Sequence, residues 1–308
     1  MRRIMIHKAL SVFLLALVLL LSDYLPVRAE FHLILPFDQS TIGVEYAYPW
    51  GDFTPQLGIA YDYGRDKVLS YIGASYETTP FLWRLFYGYW MHQYVPGYAH
   101  QQGITGRICY QIAAGHSLTG GIFYGAIERD GTGVQTRLVF LDYSKRLYFD
   151  WDREVKLLLK TVAGKVKESG ASYYTATLKL PVILGDLKIR PWLGFARETQ
   201  LLTPYFDLAD LIRGYRKDEM TGNRGLALAV ERQWALFPYS DLPFLGLLNA
   251  AVFVDAGGVI GSNQRVEEFV LYKSIGAGLV FKMGEAELHL EQVYNQLGER
   301  RIICYCSR

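Results

Sequence analysis

Ile212-Arg213-Gly214-Tyr215 lies in a long polar stretch, and the residues after it decide how the chain is read. A period-two segment containing Glu231 follows, and then the string Val252-Phe253-Val254-Asp255-Ala256-Gly257. An arginine beside a glycine and an aromatic, with two acids on later strands, suggests a loop folded back onto a charged interior. A guanidinium offers a fixed fork of donors that suits two carboxylates. Glycine lets a backbone come close to a wall.

Working outward, strict alternation recurs on both sides of this stretch. Leu226, Leu228, Val230 and Trp234 oppose Ala227, Ala229, Glu231 and Gln233. Val252 and Val254 oppose Phe253 and Asp255, and Leu288 and Leu290 oppose Glu287, His289 and Glu291. One face is apolar; the other is small, polar or charged. Sixteen strand segments run from 31–37 to 300–306, with 135–144 and 145–163 separated by a turn at Ser144-Lys145. Short links at Thr78-Thr79, Gly115-His116, Gly185-Asp186 and Met283-Gly284 alternate with longer ones at 95–102, 128–133, 164–170, 198–222 and 257–269. The link 237–246 is long on the short side. The expected fold is therefore all-β: a transmembrane antiparallel up-and-down β-barrel of about sixteen strands, with the long loop folded inward.

The first 29 residues read as a secretory leader. Arg2, Arg3 and Lys8 precede an aliphatic run over 9–21, and Val27-Arg28-Ala29 offers a cleavage site. The run is shorter than the roughly 20 residues of a membrane helix. The expected division is a signal peptide over 1–29 and one barrel domain over 30–308. Formal net charge is +2, and the leader carries four bases and one acid, so the remainder stands at −1. With no polybasic tract left, nucleic acid is not an expected partner. The 23 tyrosines suit membrane interfaces, where one side of a residue is apolar and the other wet.

The order of loop, Glu231 strand and VFVDAG string resembles the C-terminal barrel of the BamA/TamA superfamily, which covers outer-membrane assembly and two-partner secretion proteins, bacterial surface antigens among them. The resemblance is firmest over 212–294. It implies that Arg213, Gly214 and Tyr215 anchor an interior loop and that Asp255, Glu231 or both accept Arg213 in the lumen. It also implies a place in the bacterial outer membrane and a role in outer-membrane protein assembly, translocation or envelope homeostasis. Family members normally carry periplasmic POTRA domains, and the sequence leaves no room for one between Ala29 and the first strand. The expected partners are outer-membrane lipid, client outer-membrane proteins or a separate periplasmic module. The alternatives are a passive pore or structural barrel without insertase activity, and a barrel hydrolase.

Enzyme motifs are missing: there is no GxSxG, HExxH or phosphate loop. The expectation is that the protein is not an enzyme and needs no cofactor. His92, His100 and His116 show no metal-ligand spacing, so no metal is expected. Asp150 and Asp152 read as sharing a strand face. Cys109, Cys304 and Cys306 read as small apolar fillers. Glu285, Glu287, His289 and Glu291 read as a polar face needing water. A hydrated lumen would hold the loss from Arg213→Ala to about 1–2 kcal/mol. The short final strand suggests a seam that opens cheaply.

Overall fold

The computed structural model describes residues 30–34, 41–62, 67–90, 100–129, 132–197, 206–216, 219–237, 247–261, 269–283 and 286–307. The expected leader, His92 and Glu285 lie outside them. Before the long loop come β1 (Glu30–Ile34), β2 (Thr41–Ala47), β3 (Phe53–Asp62), β4 (Lys67–Thr78), β5 (Phe81–Trp90) and β6 (His100–Ala113). They are followed by β7 (His116–Arg129), β8 (Thr132–Asp150), β9 (Arg153–Val166), β10 (Ser172–Lys179), β11 (Val182–Leu184) and β12 (Leu187–Arg197). The loop itself holds β13 (Phe206–Asp207), a single 3-10 turn (Leu208–Asp210) and β14 (Thr221–Gly222). The wall then resumes with β15 (Arg224–Ala235), β16 (Leu248–Ile260), β17 (Tyr272–Met283), β18 (Ala286–Asn295) and β19 (Arg300–Ser307).

Neighbours along the chain pair antiparallel in one 17-stranded sheet. β10 and β11 both ladder to β9 and β12, so they are two pieces of one wall position and the wall has sixteen. Leu180-Pro181 separates them because proline has no N–H for a ladder. The Pro181 carbonyl still accepts from the Lys156 N–H at 3.0 Å. The sheet curls strongly enough for Lys188 on β12 to reach Glu287 on β18 at 2.6 Å. Among the described residues no ladder joins β1 to β19.

One boundary differs from the sequence reading. Ser144 and Lys145 are not a turn; they pair with Ser117 and His116 on one side and with Leu158 and Leu157 on the other. β8 runs to Asp150, and a bulge between Arg146 and Tyr148 inserts Leu147. A bulge shifts the alternation by one residue, which in the sequence looks like a strand end. The turn is Trp151-Asp152, where the Trp151 N–H donates to Asp150 Oδ1 at 2.8 Å. Asp150 ends a strand and Asp152 lies in the turn, so they do not share a strand face. The expected longer links 128–133 and 164–170 are also shortened, because β7 extends to Arg129, β8 starts at Thr132 and β9 extends to Val166.

The two faces have the polarity of a membrane barrel. On β15 Leu226 and Leu228 are exposed while Ala227, Ala229, Glu231 and Gln233 are buried. On β16 Val252 and Val254 are exposed and Asp255 is 0% exposed. Apolar side chains turned outward in this way are left in water at about 1.5–3 kcal/mol each, so only lipid satisfies such a belt. Phe53, Tyr76, Trp83, Tyr110 and Trp234 edge its tight-turn end, and Phe81 stacks on its cross-strand partner Tyr110 at 4.9 Å. Inside, large rings lie over glycines directly opposite them: Tyr71 over Gly58, Phe86 over Gly73, Phe140 over Gly121, Tyr173 over Gly164 and Phe253 over Gly276. A Cβ at any of these glycines would collide with the ring.

The topology makes a labelling prediction. With Cys109, Cys304 and Cys306 replaced by serine, Glu168→Cys at the loop end should react with an impermeant maleimide on intact cells. Asp186→Cys in a tight turn should react only after the envelope is opened. The reverse pattern would invert the barrel, and labelling of both from outside would remove it from the membrane.

Candidate functional site

An apolar knot carries the loop into the barrel. Phe206 pairs with Gly222, and Asp207 caps the 3-10 turn by accepting from the Ala209 N–H at 2.9 Å. Leu208, Ile212 and Met220 are each 0% exposed. They pack with Phe206 of the loop and with Trp192 and Ala227 on the inner wall of β12 and β15, and Trp192 meets Phe206 edge-on at 5.0 Å. Burial of this kind is worth about 1.5–3 kcal/mol per large side chain and helps hold the loop against the wall.

Arg213 is then delivered to three carboxylates. Its Nε donates to Asp255 Oδ2 at 2.8 Å and its Nη2 to Asp255 Oδ1 at 2.9 Å, a two-pronged pair. The Arg213 backbone N–H adds a third bond to Asp255 Oδ2 at 3.1 Å. Nη1 donates to Glu231 Oε2 at 2.6 Å and to Glu291 Oε1 at 3.1 Å. The guanidinium lies 3.3 Å from the centre of the Phe253 ring, which itself rests on Gly276. The carboxylate side chains are 0% exposed and that of Arg213 is 10% exposed. Buried acids of this kind are tolerated only when paired and hydrogen-bonded.

Gly214 has φ +86°, and a Cβ there would lie 2.6 Å from Val293 Cγ1. Only glycine fits both the conformation and the gap. Its carbonyl accepts from Asn295 Nδ2 at 2.9 Å. Tyr215 OH donates to the Lys273 carbonyl at 2.8 Å, and its ring meets Tyr272 edge-on at 5.5 Å. The loop is thereby tied to β15, β16, β17 and β18.

The charges continue beyond Arg213. Gln233 Nε2 donates to Glu231 Oε1 at 2.6 Å, and Arg190 Nη2 approaches Glu231 Oε2 at 3.4 Å. Lys188 Nζ donates to both oxygens of Glu287 at 2.6 and 2.7 Å. His289 is placed between Glu287 at 3.3 Å and Glu291 at 2.9 Å and stacks on Tyr305 at 4.5 Å. Tyr305 OH donates to Glu291 Oε1 at 3.2 Å. Glu231, His289 and Glu291 converge closely enough to hold a metal ion. The guanidinium of Arg213, bonded to both of those glutamates, already supplies the positive charge there.

Both acids picked out in the sequence, Glu231 and Asp255, meet Arg213, and Asp255 takes the larger share. Glu291 is the third partner and is 1% exposed, so this part of the stripe is not the wet face expected of it. Its inward parity on β18 was visible in the sequence; its partner, 78 residues away, was not. Phe253, Asn295 and Tyr305 were missed as well. Cys304 is exposed on the outward face, which corrects its reading as a filler.

No family model matches the sequence, and no curated protein is similar to it. The solved structure of CdiB from Acinetobacter baumannii is similar with a TM-score of 0.58 and 14% identity, covering 92% of this chain and 60% of that one. The chain thus spans 60% of the length of CdiB. OccK2 (OpdF) from Pseudomonas aeruginosa, in complex with glucuronate, aligns with a TM-score of 0.48 and 11% identity over 90% of this chain and 94% of that one. The outer membrane protein OpdK from the same organism aligns with a TM-score of 0.44 and 10% identity over 91% and 96%. The likeness to CdiB, at that identity, shows the fold alone, that of an outer-membrane β-barrel. The outward apolar belt agrees, and the outer membrane is where this barrel resides.

Proposed function

We propose that this barrel works in outer-membrane protein assembly or translocation, as its resemblance to the BamA/TamA superfamily implies. The observation that carries the reading is the interior loop: Arg213 binds acids from β15, β16 and β18 at once, so the loop props three wall strands from within. An incoming client strand would pair where the first and last wall strands meet, because backbone groups left unpaired in lipid cost several kcal/mol each. The mechanism is physical, and no hydrolytic step is assigned to the interior acids, which are paired with Arg213, Arg190 and Lys188. A passive pore is the second reading, favoured by the charged interior and by the width of sixteen strands, enough for an aqueous channel.

The test compares liposomes containing the folded protein with empty liposomes and with liposomes containing an unrelated porin. A urea-unfolded eight-stranded barrel is added as client. Faster client folding than in both controls is expected. No acceleration, together with steady single-channel conductance in planar bilayers, would put the pore reading in its place.

A further inference from the structure

We infer that the loop-side rim of β8 to β15 is a docking site for a phosphorylated lipid headgroup of the surrounding membrane leaflet. Arg137 on β8 and Lys165 on β9 are directly opposed in register, and both are exposed on the outward face. Lys167 continues the row, its backbone N–H donating to the Gln135 carbonyl at 2.9 Å. Arg197 on β12 lies opposite Tyr174 of β10, and Arg224 on β15 opposite Phe195 of β12. Both arginines are exposed at the same end of the wall. The wall order is β8, β9, β10, β12, β15, so at about 4.8 Å per strand the five cations span roughly 20 Å of rim.

Like charges directly opposed across a ladder repel and weaken it. Among the described residues no carboxylate pairs with any of the five; of the two acids next to them in the chain, Glu168 is exposed in the turn after Lys167, and Glu198, after Arg197, lies outside the described residues. A row of cations with no carboxylate partner among the described residues is open to an anion from outside the protein. Aromatic rings set its geometry. The Arg137 guanidinium lies over Tyr124 at 5.1 Å and that of Arg224 over Phe195 at 5.2 Å, while Tyr174 stacks on Phe195 at 5.4 Å. A guanidinium held on a ring keeps its N–H edge free for phosphate oxygens. Directly below these rings the wall is apolar, with Val139, Leu193 and Leu226 exposed, so a bound phosphate would have its acyl chains beside it.

The charge is confined to part of the rim. Loop-end outward positions on β3 to β6, at Tyr61, Val68, Tyr87 and Gln102, are uncharged. Lys273 and Arg300 extend the positive sign towards β19. A lipid phosphomonoester and free phosphate share the same headgroup chemistry; the belt beneath the cations favours the lipid.

The folded full-length barrel, in neutral detergent, is titrated with bisphosphorylated lipid A and followed by native mass spectrometry. Heat-modifiable gel migration checks that each variant is folded. A basic residue near an anionic surface contributes about fivefold in affinity, so the Arg137→Gln/Lys165→Gln pair should bind about 25-fold more weakly. Arg232→Gln, outward on β15 but near the other rim, should bind as the unaltered protein does. Equal binding of the dephosphorylated lipid, or an equal loss from Arg232→Gln, would overturn the inference. Displacement of the lipid by inorganic phosphate at matching concentration would make this a soluble-anion site and overturn the lipid assignment.

Discussion

Arg213→Ala is expected to release the interior loop, so that a protease added from the loop side cuts between 206 and 222 while the barrel stays folded. Three carboxylates with fully buried side chains lose their shared cation in this variant. Breaking a buried pair by removing one partner costs about 3–5 kcal/mol. That range replaces the 1–2 kcal/mol suited to a hydrated lumen, because the acids are dry. Asp255→Asn should follow Arg213→Ala closely, since Asp255 accepts three of the donors, including the backbone N–H. Glu231→Gln should cost less, because Gln233 and Arg190 also serve Glu231. Arg213→Lys keeps the charge but loses the fork and should restore only part of the protection. Wild-type protease resistance in Arg213→Ala would show that the apolar knot alone holds the loop.

Phe253→Ala is expected to damage wall and loop together. The ring is 2% exposed, fills the pit over Gly276 and carries the Arg213 guanidinium over its centre. Truncating a buried phenylalanine costs about 3–5 kcal/mol, and loss of a desolvated cation–π contact adds up to about 2. Unlike Arg213→Ala, this variant should lower the temperature at which the heat-modifiable band disappears. Phe253→Leu should recover much of that melting temperature but little of the loop protection. Equal recovery of both would mean that volume, not stacking, seats the arginine.

What the sequence disclosed follows from the range of each signal. Alternation is local, so the wall, its faces and the inward parity of Glu231 and Asp255 could be read residue by residue. Leu147 defeated that reading because a bulged residue breaks the period inside a strand that goes on pairing. Leu180-Pro181 had the opposite effect: it interrupts the ladder without changing the wall position. The RGY loop pointed to the site, yet Glu291, Tyr305 and Phe253 joined it through curvature, which brings strands far apart in sequence to one point. A charged stripe on a strand looks the same whether water or a guanidinium faces it. Only the position of the loop decides between them.

The rings seated over glycines bear on errors of insertion. A strand that slips by one residue turns its charges to lipid and is rejected by polarity alone. A slip of two residues keeps every apolar side chain outside, so hydrophobicity cannot detect it. The rings can. Two places out of step, Phe140 would face Thr119 or Phe123, Tyr173 would face Val162 or Val166, and Phe86 would face Ser75 or Tyr71. Each ring then meets a side chain where the native pairing offers an empty pit. The lumen face thus works as a set of keyed notches, proofreading hairpin alignment in the one class of mistakes that the membrane itself would pass.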